Sequence, residues 1–169
     1  KLKEQAKVKI AVLDSGVDYG NDIELASSVS LVPGEEELSP LFMDGSGHGN
    51  SVAGLIAAKQ DDEGITGINP DVEIHSIRVL DDNNEAPLSR VIEGIYLAID
   101  KEVNIINMSF GLDYYSEALE EAIQAASDAG ILLIAAAGNT GDDGVQYPAA
   151  YEEVMAVGSV DQTGEVAEN

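Results

Sequence analysis

The chain has 169 residues, 44% of them hydrophobic, which suits one domain with a substantial core and is short for two. Its 32 Asp and Glu against 8 Lys and Arg give a formal charge of -24, which argues against nucleic acids and anionic membrane surfaces as partners. No apolar run approaches the roughly 20 residues of a membrane span, no hydrophobic signal segment opens the chain, and the absence of cysteine removes disulfides, thiol nucleophiles and thiolate metal sites. Secreted and cytoplasmic readings both stand, secretion being the favoured one. Self-repulsion at this charge is a stability problem that bound cations or salt would relieve.

Val8-Lys9-Ile10-Ala11-Val12-Leu13 reads as a buried strand that stops at Asp14, on a turn made by Ser15 and Gly16. The polar stretch 18–44, broken by Pro33, Gly34 and Pro40, reads as surface loop with one short strand at 29–32. Gly45-Ser46-Gly47-His48-Gly49-Asn50 opens a helix with Val52, Leu55, Ile56 and Ala57 at helical spacing, ending near Lys59 and placing His48 at its N-terminus. An acidic turn at 61–64 leads to a strand at 72–80. Pro87 and Ser89 introduce a helix with Val91, Ile92, Ile95, Tyr96 and Ile99 on one face. A strand at 103–108 runs into Ser109-Phe110-Gly111. Ser116 caps a third helix, acidic in its first turn and closed by Gly130. The run 131–137 leads to Gly138-Asn139, residues 140–153 are loop, and 154–160 is a last strand.

Strands alternating with helices, and strands that are continuously apolar, imply a single α/β domain over 1–169: three layers, a mainly parallel sheet with helices on both faces. In such a sheet the strand ends at Asp14, at Ser109-Phe110-Gly111 and at Gly138-Asn139 share one edge, and the turn carrying His48 packs beside the first. An acid that orients a His, a His that serves as general base, and an amide that donates to an oxyanion are the non-nucleophile parts of a serine-hydrolase site. The plainer reading of each residue is local: a turn Asp, a helix-cap His and a turn Asn. His75, the other histidine, lies within a strand and is expected to be structural. Metal binding by Asp44 and His48 lacks further ligands at recognisable spacing. The glycines around His48 superficially suggest a phosphate loop, but no convincing strand leads into them.

These motifs carry a resemblance. Asp14-Ser15-Gly16-Val17-Asp18, His48-Gly49-Asn50-Ser51-Val52-Ala53-Gly54 and Ala135-Ala136-Ala137-Gly138-Asn139 resemble, in order and spacing, the Asp, His and Asn motifs of the subtilisin family of serine endopeptidases (subtilases, peptidase S8). Asn107-Met108-Ser109-Phe110-Gly111 is similar to the segment lining that family's substrate cleft. The resemblance implies a subtilisin-like fold, a polypeptide substrate, Asp14 as triad acid, His48 as general base and Asn139 as oxyanion donor. It makes Ser109, Phe110 and Gly111 one wall of the primary pocket and Ala136, Ala137 and Gly138 the other. Gln146 would lie near the pocket floor, and Leu88 and Val91, with Phe110, would form a more distant apolar subsite. A broad preference, tolerant of polar and basic side chains near Asp142 and Asp143, is expected. Structural calcium is expected at the acidic turn, with Asp61 and Glu63 as ligands and Asp22 as a partner.

Two departures stand out. Asn50-Ser51 replaces the family's usual Thr-His, and the nucleophile motif Gly-Thr-Ser-Met-Ala is absent from these 169 residues. The chain therefore reads as the N-terminal two thirds or so of a catalytic domain, inactive alone, with an apolar groove inviting self-association or association with a C-terminal segment. Two alternatives stand beside this: a non-catalytic subtilase-like module that binds peptides, and a nucleotide-binding α/β domain.

Overall fold

The computed structural model describes residues 6–20, 22–35, 43–62, 64–141 and 144–167. Along it run β1 (Lys9–Asp14), β2 (Leu25–Ser30), α1 (His48–Ala57), β3 (Glu73–Arg78), α2 (Leu88–Asp100), β4 (Ile105–Met108), α3 (Glu117–Asp128), β5 (Leu132–Ala136) and β6 (Val154–Val157). The six strands form one sheet, in the order β2-β3-β1-β4-β5-β6, with every pairing parallel. β1 sits between β3 and β4, so Ile10 is level with Ile74 on one side and Ile105 on the other. All strands therefore end on one edge, and β1 delivers Asp14 near its middle.

Side-chain alternation divides the core in two. Ala11, Leu13, Ile77, Ile106, Met108 and Leu133 face α2 and α3, whose Val91, Ile95, Ala98, Leu119, Ala122 and Ile123 close the larger core. Ile10, Val12 and Ile74 face α1 and pack on Ala53 and Ala57. The helices thus cover both faces, but unequally. On the α1 side the register places Leu132, Ile134, Met155 and Val157 on the same face as Ile10 and Val12, beyond the reach of α1's core. Leu132, Met155 and Val157 are 45, 54 and 50% exposed there.

Two strand boundaries and one helix face differ from the sequence expectation. The strand expected at 29–32 is β2, starting at Leu25, and its register against β3 shifts between Leu25 and Ser27. Leu-Ala-Ser-Ser-Val-Ser has weak strand character, and pairing with β3 overrides it. β6 stops at Val157, and Val160 instead makes a lone antiparallel bridge to Val166. On α2, Gly94 and Ala98 join Val91 and Ile95 at the buried face while Tyr96 is 45% exposed. Tyr96 falls one residue past the stripe, and a β-carbon on Gly94 would stand 2.6 Å from Val79 Cγ1, so the close packing needs glycine there.

Candidate active site

Asp14 is fully buried at the end of β1, and its Oδ1 accepts hydrogen bonds from His48 Nδ1 at 2.7 Å and from the Ser15 backbone N–H at 2.7 Å. Against an ionised acid the His48 Nδ1 carries the proton, which leaves Nε2 as the acceptor nitrogen. The His48 side chain is 43% exposed while that of Asp14 is buried, so the acid sits inside and the imidazole faces out.

The start of α1 is held by carboxylates. Asp44 Oδ1 accepts from the Gly47 N–H at 2.9 Å and the Ser46 N–H at 3.2 Å, and Asp44 Oδ2 accepts from the Asn50 N–H at 2.8 Å. Asp44 thereby satisfies free donors of the helix's first turn. Ser15 links the two halves: its hydroxyl donates to Asp44 at 2.8 Å and accepts from the Gly49 N–H at 2.9 Å. Asn50 pairs with Asp18 in both directions, donating Nδ2 to the Asp18 carboxylate and accepting the Asp18 N–H, each at 2.8 Å. A β-carbon on Gly49 would overlap the Gly16 carbonyl, so the β1 turn and the helix meet backbone to backbone.

Beneath this turn lies Arg78, 1% exposed at the end of β3 and level with Asp14. Its guanidinium donates to the Ser15 carbonyl, to both Glu35 oxygens at 2.7 and 3.0 Å, and to Asp82 at 2.7 Å. The hydrogen bonds from Arg78 hold the Glu35 carboxyl below its ordinary value of 4.5. One side chain thus ties together three segments, those of Ser15, Glu35 and Asp82.

Two walls leave the same sheet edge. Ser109 Oγ accepts from Asn107 Nδ2 at 2.9 Å, Phe110 packs half-buried on the larger core, and Gly111 follows. Opposite, Ala137 and Gly138 extend β5, Gly138 taking a left-handed φ of 102°. With Asn139 they line a cavity of about 830 Å³. Ala136 ends β5 itself. Phe110 and Val91 line a second cavity of about 500 Å³, whereas Leu88 packs against the core and is not among its lining residues. Gln146 reaches both walls: its backbone N–H donates to the Ala137 carbonyl at 2.9 Å, and its side-chain Nε2 donates to Asp113 at 2.5 Å.

The other expected positions fall outside this site. His75 lies on β3, opposite Ser27 of β2, with Nδ1 2.8 Å from Ser27 Oγ, and burial lowers its pKa from 6.5. The Asp22 carbonyl accepts from the Lys59 N–H, and its side chain approaches Gly64, which brings it to the acidic turn of Asp61. Glu63, like Asp142 and Asp143, lies outside the described residues. Among the described residues no three His, Cys, Asp or Glu converge as a metal cluster.

Sequence reasoning did not find Asp44's capping role, Arg78 or Asp113. Asp44 had a readable signal, an acid three residues before the glycine that opens a helix. Arg78 and Asp113 had none, because Ser15 and Glu35, which Arg78 binds, and Gln146, which Asp113 binds, lie far away in sequence.

A family model described as the subtilase family matches residues 5–169. The chain is 44% identical over 159 residues to a thermostable alkaline protease of Halalkalibacterium halodurans, covering 94% of this chain and 43% of that protein. It is 38% identical to subtilisin BL of Lederbergia lenta, over 92% of this chain and 56% of the relative. It is also 38% identical to the minor extracellular protease Epr of Bacillus subtilis, over 95% of this chain and 24% of that protein. The chain thus spans about half the length, or less, of these relatives.

Proposed function

This chain belongs to the subtilase family, and from that premise we propose that it supplies the acid, base and oxyanion donor of a serine endopeptidase. The observation that carries the reading is the 2.7 Å bond between His48 Nδ1 and buried Asp14, at the edge where two extended walls leave the sheet. In this reading His48 Nε2 takes the proton of a serine hydroxyl as its oxygen bonds to the scissile carbonyl carbon. Asp14 stabilises the imidazolium that forms, and the Asn139 amide donates to the developing oxyanion. As the C–N bond breaks, His48 returns the proton to the leaving amine; a water then repeats the sequence to free the acid. The wall backbones pair with the substrate as an added strand.

The serine comes from outside residues 1–169 in this proposal. Ser15 Oγ is engaged with Asp44, Ser51 Oγ donates to the Gly47 carbonyl, and Ser109 Oγ accepts from Asn107. Alone, the chain is expected not to react with a fluorophosphonate. The test is to mix it with a separately made C-terminal segment, assay peptidase activity, and repeat with His48→Ala. Activity that appears on mixing and vanishes with His48→Ala supports the reading, and covalent labelling of residues 1–169 alone would refute it. Peptide binding by the full-length protein without turnover would favour the binding-module reading. We also propose secretion, on the strength of a relative named as an extracellular protease.

Calcium remains a separate proposal, for the turn at 61–64 beside Asp22, and no catalytic step depends on it. A melting temperature that rises in calcium and falls in chelator is expected; equal values would remove the site.

A further inference from the structure

We propose that Gln146 fills the floor of the pocket between the two walls, locked there by Asp113, so that the cleft selects small uncharged side chains before the cut. This rests on the endopeptidase reading above and narrows its substrate class.

The backbone fixes Gln146 first. Its N–H is bonded to Ala137 of one wall, and the next residue, Tyr147, exchanges two hydrogen bonds with Leu112 of the other, at 2.7 and 2.9 Å. The side chain then turns between the walls. A β-carbon added to Gly111 would overlap Gln146 Oε1, and so would one added to Gly138. Both walls lack a side chain at the points that face each other, and the space this leaves is taken by this protein's own amide.

The amide's polarity is also fixed. Nε2 donates to Asp113 Oδ1 at 2.5 Å, and an ionised carboxylate only accepts, so the amide cannot turn over. Oε1 therefore faces the glycines. A side chain entering between the walls meets a carbonyl-type acceptor after a short distance. Gly, Ala, Ser and Thr fit, and a hydroxyl gains a partner. A carboxylate meets an acceptor inside a chain of charge -24. A long basic or aromatic side chain must displace Gln146 and break its bond to Asp113. The pocket is thus shallower than the broad, base-tolerant one expected from sequence.

The experiment is a peptide library on the full-length protein, read as the ratio of kcat/KM for Ala over Phe before the cut. Wild type should favour Ala by at least roughly tenfold, the scale on which pockets discriminate by volume. Asp113→Asn should lower the ratio, because a neutral amide holds Gln146 less tightly than a carboxylate and lets a large side chain displace it more easily. Gln146→Gly and Gln146→Ser should bring it to one or below. A wild-type ratio near one, or a ratio unmoved by both Gln146 variants, overturns the plug while leaving the endopeptidase reading intact. Absence of turnover on every peptide instead strikes the endopeptidase reading. The plug is then read by NMR titration of the 169-residue chain with acetylated tetrapeptides ending in Ala or Phe. At least roughly tenfold tighter binding of the Ala peptide, lost in Gln146→Gly, supports it, and equal binding overturns it.

Discussion

Arg78 shows how much a single residue can hold that no local pattern announces. A lone Arg at the end of an apolar strand reads as a chain ending in solvent, yet it is buried and bonded to Ser15, Glu35 and Asp82. Arg78→Met should cost about 3 kcal/mol by urea denaturation, the low end for removing one partner of a buried ion pair, because Asp82 and Glu35 can regain water. A loss below about 0.5 kcal/mol would mean that the pair contributes nothing net. Glu35 adds a pH dependence. Its folded pKa lies below 4.5, so its stabilisation is fully present above that value and is lost as pH falls through the folded pKa. Glu35→Gln should therefore flatten the acid limb of stability below about pH 4.5, and an unchanged limb would exclude the linkage. Asp14 and His48 were legible because each sits in a run of residues with a fixed order; Arg78 and Asp113 were not, because contact rather than order defines them.

Among the elements, α1 turns a loop into a site. It carries no acidic residue in its first turn, and its N-cap position, Gly47, offers no side-chain bond. Asp44 supplies the cap from three residues upstream, joined to Asp14 through Ser15. Asp44→Ala should lower stability by about 1 to 2 kcal/mol, as loss of a strong N-cap does, and should also loosen the His48 to Asp14 bond. The second effect is measurable as loss of the low-field imidazole proton in NMR; its persistence, with only a stability change, would confine Asp44 to the helix. The start of α1 was readable from Gly45 to Asn50, as was the Ser116 cap of α3, whose Oγ accepts from the Leu119 N–H. β2 was misplaced because a serine-rich edge strand owes its existence to β3 rather than to its own sequence.

For the molecule as a whole, two features oppose one another. A charge of -24 drives copies apart, while Leu132, Met155 and Val157 leave an apolar strip on one sheet face. Salt screens the first and strengthens the second. Between roughly 0.05 and 1 M NaCl, where the Debye length falls to about 3 Å, the melting temperature and the sedimentation coefficient should rise together. Met155→Lys should suppress the rise in sedimentation but keep the rise in melting temperature. If both are flat with salt, neither the repulsion nor the strip governs behaviour in solution.

The strand order also decides when the fold can begin. β1 leaves the ribosome before the other five strands of this sheet, but it pairs only with β3 and β4, and β2 pairs only with β3. Until residue 78 has been synthesised, neither early strand has its neighbour, and the apolar run at 10–13 waits without a partner. Such nonlocal pairing makes assembly slow and leaves the nascent chain open to misassociation. The same interleaving places Asp14 in the middle of the sheet, so the central position of the acid and the late start of folding are two results of one topology.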